Sequence, residues 1–96
     1  MADFEVAHVR EQGQDMIIIV VNSDNRHKTN QEQNEILSWL QDCAHAAGLA
    51  GNAALVWDAG RGQMGYLGPH QWRGFFQSIN LAWVARNINK KLSCSG

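Results

Sequence analysis

The residue types that could do chemistry in this chain are concentrated in a glycine-rich segment just past its middle. Asp58 and His70 supply a carboxylate and an imidazole, the groups that acid–base catalysis or a polar binding site would use. Aromatic and cationic side chains surround them. The candidate ligand-binding residues are Trp57, Asp58, Arg61, Tyr66, His70 and Trp72. This set predicts a site for a small anionic or aromatic ligand, and we assign no catalytic residue.

A structural interpretation of the same segment competes with this one. Asp58 would then cap the turn after its strand, Arg61 would pair with Asp58, and His70 would lie exposed in the first turn of a helix. The two interpretations differ in geometry, because only a site requires Asp58 and His70 to come together.

Residues 60–65 spell G-x-G-x-x-G directly after a predicted strand, which is the pattern of a dinucleotide-binding loop. In that fold a helix opens at the third glycine, and an acidic residue follows about 20 residues later. Here residues 66–69 intervene before any helix, and no acid follows Asp58. We therefore predict a structural or mobile loop and expect no cofactor.

Two cysteines are the remaining candidates for redox or metal chemistry. Cys43 falls within a predicted helix and Cys94 in a polar tail, and neither belongs to a C-x-x-C or H-x-x-x-H pattern. His45 lies two residues from Cys43, so the two do not share a helix face. We predict free thiols and no metal site.

A hairpin and a capped helix account for the first half of the chain. Alternation over residues 3–10 predicts a strand, and the apolar run 16–21 predicts a second, central strand buried on both faces. Thr29 and Glu32 have the spacing of a capping box, which predicts a helix that runs to about Ala47.

The second half is harder to assign. Residues 53–58 predict a third strand and residues 63–67 a short edge strand. Two apolar stripes then overlap at helical spacing on opposite sides, one through Phe76 and the other through Val84. A long or kinked helix fits this pattern. A helix that ends near Ser78 before a strand at 81–85 also fits.

Leu, Ala, Arg and Lys dominate this C-terminal segment and favour the helix over the strand. The predicted fold is therefore α+β in the order β-β-α-β-(short β)-α. It forms one domain over residues 1–96, with a small sheet and its helices packed on one face.

The second apolar stripe also predicts a subunit interface. The predicted interface residues are Leu81, Trp83, Val84, Ile88 and Leu92. The leading hypothesis is a homo-oligomeric binding module, most simply a dimer, without catalysis of its own. One alternative is a small-molecule binder or small enzyme that uses residues 58–70. Another is nucleic-acid binding by Arg86, Lys90 and Lys91, which the slightly negative overall charge makes less favourable.

Acidic and basic residues are separated along the chain. All nine acids lie between Asp3 and Asp58, where three bases leave a net charge of −6. From Ala59 onward there are five bases and no acid, a net charge of +5. This split predicts either an anionic partner for the basic end or two halves that complement each other, within the fold or across a dimer.

The compartment follows from what the first residues lack. Met1 to Glu5 contains no basic or apolar segment of the kind that directs secretion. The longest apolar run, residues 16–21, is far shorter than the roughly 20 residues that span a bilayer. We expect a cytoplasmic protein with no membrane contact.

Residues 53–76 begin A-A-L-V-W-D-A-G, end G-P-H-Q-W-R-G-F-F, and resemble the strand–loop–helix unit of STAS-like bacterial domains. The regulatory Ser or Thr of those domains is missing from residues 58–77, so the resemblance implies no phosphorylation switch. In size and character the chain also resembles small bacterial proteins encoded by integron gene cassettes, which implies no activity.

Overall fold

The computed structural model describes residues 2 to 94, apart from the side chains of residues 2, 25 and 26. Within them lie five strands and three α-helices: β1 Ala2–Glu11, β2 Gln14–Val20, α1 Asn30–Ala46, β3 Asn52–Gly60, β4 Gln63–Leu67, α2 Arg73–Ser78, α3 Leu81–Asn87 and β5 Lys90–Cys94. Short 3₁₀ turns occupy Ser23–His27 and His70–Trp72.

The strands form one mixed sheet in the order β4-β3-β2-β1-β5. Two tight hairpins, β1–β2 and β3–β4, provide antiparallel pairs, and β5 adds antiparallel to the outer edge of β1. β2 and β3 are parallel because α1 returns the chain to the starting end of the sheet. The predicted hairpin, the central position of β2 and the edge strand at 63–67 are all confirmed.

Helix α1 begins and ends where its capping residues predict. The Thr29 hydroxyl accepts from the Glu32 amide at 3.1 Å, and the Glu32 carboxylate accepts from the Thr29 amide at 3.1 Å. Gly48 takes a left-handed φ of 88° after the last turn, and the Leu49 amide bonds to the Ala44 carbonyl at 3.0 Å.

Helices cover both faces of the sheet, so the prediction that they pack on one face is wrong. The α1 side buries Ile17, Ile19, Leu40, Ala44, Leu55, Trp57 and Leu92. The α2–α3 side buries Ala7, Met16, Ile18, Ala54, Val56, Trp72, Phe76 and Val84. Successive residues of β2 and β3 alternate between the two cores, which explains their continuous apolar character.

The C-terminal segment is also corrected. Ile79 is extended, with φ −116° and ψ 173°, and ends α2. The Asn80 side chain accepts from the Trp83 amide at 2.9 Å and starts α3. This break resets the helical register, so Phe76 and Val84 enter the same core. Neither one continuous helix nor a strand at 81–85 is correct, and the chain after α3 forms β5.

Cys43 and Cys94 form a disulfide, so the prediction of free thiols is wrong. Cys43 lies one residue before buried Ala44 on α1. Cys94 alternates with Leu92 along β5 and points to the same side of the sheet. Their Cα atoms are 6.1 Å apart, within the normal range for a disulfide. The pairing could not be predicted without knowing that residues 90–94 form a strand beneath α1.

Ion pairs between the acidic segment, residues 3–58, and the basic segment from residue 59 onward do not account for the charge split among the described side chains. Among the described side chains, the ion pair Arg10–Asp15 lies within the acidic segment, at 3.8 Å, and no ion pair joins the two segments. None of the helices described is long and apolar enough to cross a membrane.

Candidate ligand-binding cleft

The two tryptophans of the predicted site lie on opposite faces of the sheet. Trp57 is 6% exposed in the core beneath α1, whereas Trp72 is 3% exposed in the core beneath α2 and α3. The indole Nε1 of Trp72 donates to the Gln14 side-chain oxygen. Neither tryptophan therefore forms the wall of a shared site.

Asp58 and His70 are at opposite ends of β3. Because β4 runs antiparallel to β3, its last residue, Leu67, pairs with Leu55 and carries the chain back toward the start of β3. His70 then lies exposed at the beginning of a 3₁₀ turn, as the structural interpretation predicts. The structure does not bring the proposed acid–base pair together.

The G-x-G-x-x-G segment, predicted as a structural or mobile loop, forms the turn of the β3–β4 hairpin and the first residues of β4. Arg61 and Gly62 form its two-residue turn, with left-handed φ values of 55° and 74°. The Asp58 carboxylate accepts from the Gly60 amide at 2.8 Å, so Asp58 does cap the turn. The predicted Asp58–Arg61 ion pair is not found among the described side chains.

Tyr66 contributes to packing. Its ring stacks on Phe76 with centroids 5.2 Å apart and planes 18° apart, on the α2 side of the sheet. Of the six predicted site residues, Asp58 alone lines the cleft that we consider the best candidate site.

This cleft encloses about 490 Å³ where the parallel strands β2 and β3 end. Ligands in α/β proteins commonly bind at the carboxyl ends of such strands. The cleft is closed on one side by α3 and on the other by the segment that follows β2. Its lining residues are Glu5, Val20, Val21, Asn22, Ser23, Asp58, Leu81, Val84, Ala85 and Ile88.

The charge in this cleft is acidic and its floor is apolar. Glu5 and Asp58 supply two exposed carboxylates, and among the side chains that the structure describes no lysine or arginine lines the cleft. Lys91 is the cross-strand neighbour of Glu5, but no ion pair joins them among the described side chains. Val84 is 1% exposed and forms part of the floor.

No local sequence pattern pointed to Glu5. The residue simply alternates with buried Val6 on β1, as any solvent-facing strand residue would. Glu5 and Asp58 are distant in the sequence, and they line the same cleft because β1 and β3 flank β2 in the sheet.

The predicted subunit interface is divided between several environments. Leu81 and Ile88 line the cleft, and Val84 is buried beneath them. Trp83 packs edge-to-face on Phe75 with centroids 5.4 Å apart. Leu92 is 2% exposed and lies in the other core, under α1. The five residues do not form one apolar face.

A second cleft, of about 320 Å³, lies at the opposite end of the sheet beside Trp72. Its glutamine Gln14 is already bonded to the Trp72 indole. Among the described side chains that line it, Glu11 alone is charged. It therefore has less to offer a charged ligand than the cleft at Asp58.

Within residues 2 to 94, no three His, Cys, Asp or Glu side chains come close enough together to hold a metal ion. In comparisons with protein-family models, curated proteins and solved structures, the chain matches none. The fold and the cleft thus define a three-layer α+β domain with an acidic cleft at the carboxyl ends of its parallel strands.

Proposed function

We propose that this domain is a binding module, without catalysis of its own, that holds a small organic cation in the cleft between Asp58 and α3. The observation that carries the proposal is the pairing of two exposed carboxylates, Glu5 and Asp58, with a floor of aliphatic side chains. A ligand that joins an ammonium group to an apolar body complements both parts.

The proposal differs from the anionic or aromatic ligand expected from the sequence. That expectation relied on Arg61, Tyr66 and His70, which do not line this cleft. Binding without catalysis is favoured because Asp58 is exposed and already accepts from the Gly60 amide. His70, the proposed proton partner, lies at the other end of β3.

Both carboxylates face solvent, and the high dielectric constant of water limits what each contributes to the free energy of cation binding. Two unit charges 4 Å apart in water attract by about 1 kcal/mol, or about fivefold in affinity. Binding of a simple probe should accordingly be weak and should fall as salt screens the charges.

The test is a titration of the isotope-labelled chain with benzyltrimethylammonium chloride, followed by amide NMR at low salt. We expect shifts at residues 20–23, 58 and 81–88. Asp58→Asn keeps the acceptor for Gly60 but removes the charge, and it should weaken binding about fivefold. Glu5→Gln should act in the same direction.

Matched controls are Asp42→Asn and Glu35→Gln, which remove the same charges from the exposed side of α1. These variants should bind the probe like the wild type. Equal binding of benzoate, or shifts confined to the cleft beside Trp72, would refute the proposal.

Two earlier hypotheses remain predictions. Of the predicted interface residues, Leu81, Trp83 and Ile88 are partly exposed and could take part in self-association, whereas Val84 and Leu92 are buried in the cores. Nucleic-acid binding would have exposed Arg86, Lys90 and Lys91 available, but Trp83 packs on Phe75 and is a poor stacking platform for bases.

We also propose the cytoplasm as the compartment in which the domain works. Disulfides of cytosolic proteins are mostly transient or redox-sensing. In the cytoplasm the Cys43–Cys94 bond would therefore be reduced and re-formed as redox conditions change.

A further inference from the structure

The two sulfurs of the disulfide lie in unlike surroundings. Cys94 is 1% exposed and forms part of the core under α1. Cys43 is only partly buried and lines a cleft of about 470 Å³ between α1 and β5, whereas Cys94 does not line it. The other lining residues are Trp39, Asp42, Ala46, Ala47 and Ser93.

We propose that Cys43 is a redox-modification site at which a dithiol reductant enters this cleft and opens the disulfide, releasing β5. The attack falls on Cys43 because exchange requires a thiolate to reach one of the two sulfurs, and the cleft leads to this one.

The exchange proceeds in two balanced steps. A thiolate of the dithiol forms a bond to the Cys43 sulfur, the Cys43–Cys94 bond breaks, and Cys94 leaves with the electron pair and takes up a proton. The second thiol of the reductant then loses its proton and attacks the reductant's first sulfur, the one bonded to Cys43, and the Cys43 sulfur leaves and takes up a proton. This frees Cys43 as a thiol and leaves the reductant as a disulfide, so two electrons pass from reductant to protein.

A dithiol is specified because Cys94 is still next to Cys43 when the first bond breaks, before β5 has moved away. After attack by a monothiol, Cys94 is placed to re-form the original bond, since an intramolecular thiol competes at high effective concentration. A dithiol removes this return path by resolving the mixed disulfide itself. Complete reduction therefore favours the dithiol class.

Strand β5 is the element that opening would release. It lies at the edge of the sheet and pairs through five residue positions with β1 alone. Leu92 and Cys94 are its buried residues, while Lys90 and Lys91 are exposed. Reduction should therefore loosen β5 and the facing half of β1 before the central strands.

The first experiment treats the native full chain with dithiothreitol or with glutathione at equal thiol concentration. Dithiothreitol should reduce the disulfide at least tenfold more completely. Hydrogen exchange should then accelerate at residues 90–94 and 2–6, while residues 16–20 and 53–57 keep their protection. Reduction only after denaturant is added, or uniform acceleration across the sheet, would overturn the proposal.

The second experiment compares single-cysteine chains, which lose the disulfide equally. In Cys94→Ser the remaining Cys43 should react with N-ethylmaleimide at least tenfold faster than Cys94 does in Cys43→Ser. Equal rates in folded chains would contradict the assignment of Cys43. If both variants unfold, the wild type is treated with glutathione, quenched with acid, and examined for which cysteine carries the glutathione adduct. An adduct on Cys43 supports the proposal, and an adduct on Cys94 overturns it.

The charge beside the cleft offers a third readout. Asp42 lines the cleft, so Asp42→Asn should speed attack by anionic glutathione about two- to fivefold through reduced repulsion. Glu35→Gln, which removes a charge elsewhere on α1, should leave the rate unchanged. Equal rates in Asp42→Asn and wild type would contradict entry through this cleft.

Discussion

The indole of Trp57 lies directly over Gly65, its cross-strand partner on β4. A Cβ atom at position 65 would overlap the Nε1 and ring carbons of Trp57. The ring therefore uses the space that the glycine leaves open, and it closes the α1-side core toward the β4 edge. The third glycine of the G-x-G-x-x-G segment is thus required by packing.

Gly65→Ala should destabilise the domain by about 1–3 kcal/mol, because the tryptophan must leave its position in the core. Gly74→Ala is the matched control. A Cβ at Gly74 meets nothing within 4 Å, and alanine favours the helix by about 0.5–1 kcal/mol. Urea unfolding of both variants measures the difference. Similar stabilities for the two would contradict the packing of Trp57 over Gly65.

Gln14→Ala should leave the largely buried indole N–H of Trp72 without its acceptor, at a cost of about 1–3 kcal/mol. Gln71→Ala changes an exposed glutamine that lines the same cleft and should have little effect. Thermal unfolding compares the two variants, and the indole N–H resonance of Trp72 should move only in Gln14→Ala. An unmoved resonance would argue against the bond.

Glu32 should make stability depend on pH. The Thr29 amide and hydroxyl lower the pKa of Glu32 below 4.5, with a smaller contribution from Lys28. A pKa that is lower in the folded state stabilises the fold above the unfolded-state value, and this contribution is lost as the pH falls through the folded-state value. Glu32→Gln should therefore lower the urea midpoint at pH 7, and this effect should diminish as the pH falls below 4.5.

Glu35→Gln is the control for this prediction, because Glu35 lies on the same helix outside the capping box. Its urea midpoint should differ from that of the wild type by the same small amount throughout this pH range. A Glu32→Gln effect that stays constant from pH 7 down to strongly acidic pH would show that the carboxylate charge is not responsible.

Elements with local signals were predicted well from the sequence. The capping box fixed the start of α1, and the apolar run 16–21 identified a strand with two buried faces. Such signals lie within a few residues of each other, so periodicity and capping chemistry are sufficient to recognise them.

The prediction for the C-terminal region was wrong because its sequence pattern fits more than one arrangement. One helix with apolar stripes on opposite sides has the same sequence pattern as two short helices that pack on one face of a sheet. The two arrangements can be told apart only if the break between the short helices is recognised. The break lies at Ile79 and Asn80, and the available signal was that asparagine is a preferred N-cap residue, the role in which Asn80 accepts from the Trp83 amide. Strand β5 depends on pairing with β1, a contact that no local pattern encodes.

The candidate site could be predicted only in part. Asp58 was placed correctly at the end of a strand, but its expected partner His70 was not near it. Sequence proximity was misleading because the β3–β4 hairpin reverses the chain and separates the two residues by the length of β3. Glu5 became a candidate only when the strand order was known.

The pairing of β1 with β5 has a consequence for synthesis on the ribosome. Val6 pairs with Lys90, more than eighty residues later in the chain. Because synthesis adds about 5–20 residues per second, the outer edge of β1 remains unpaired for a time of the order of ten seconds before β5 is made. During that interval the nascent chain presents an unpaired strand edge, which is a template for wrong pairing with neighbouring chains. Early docking of a chaperone at β1 would protect the chain until β5 emerges.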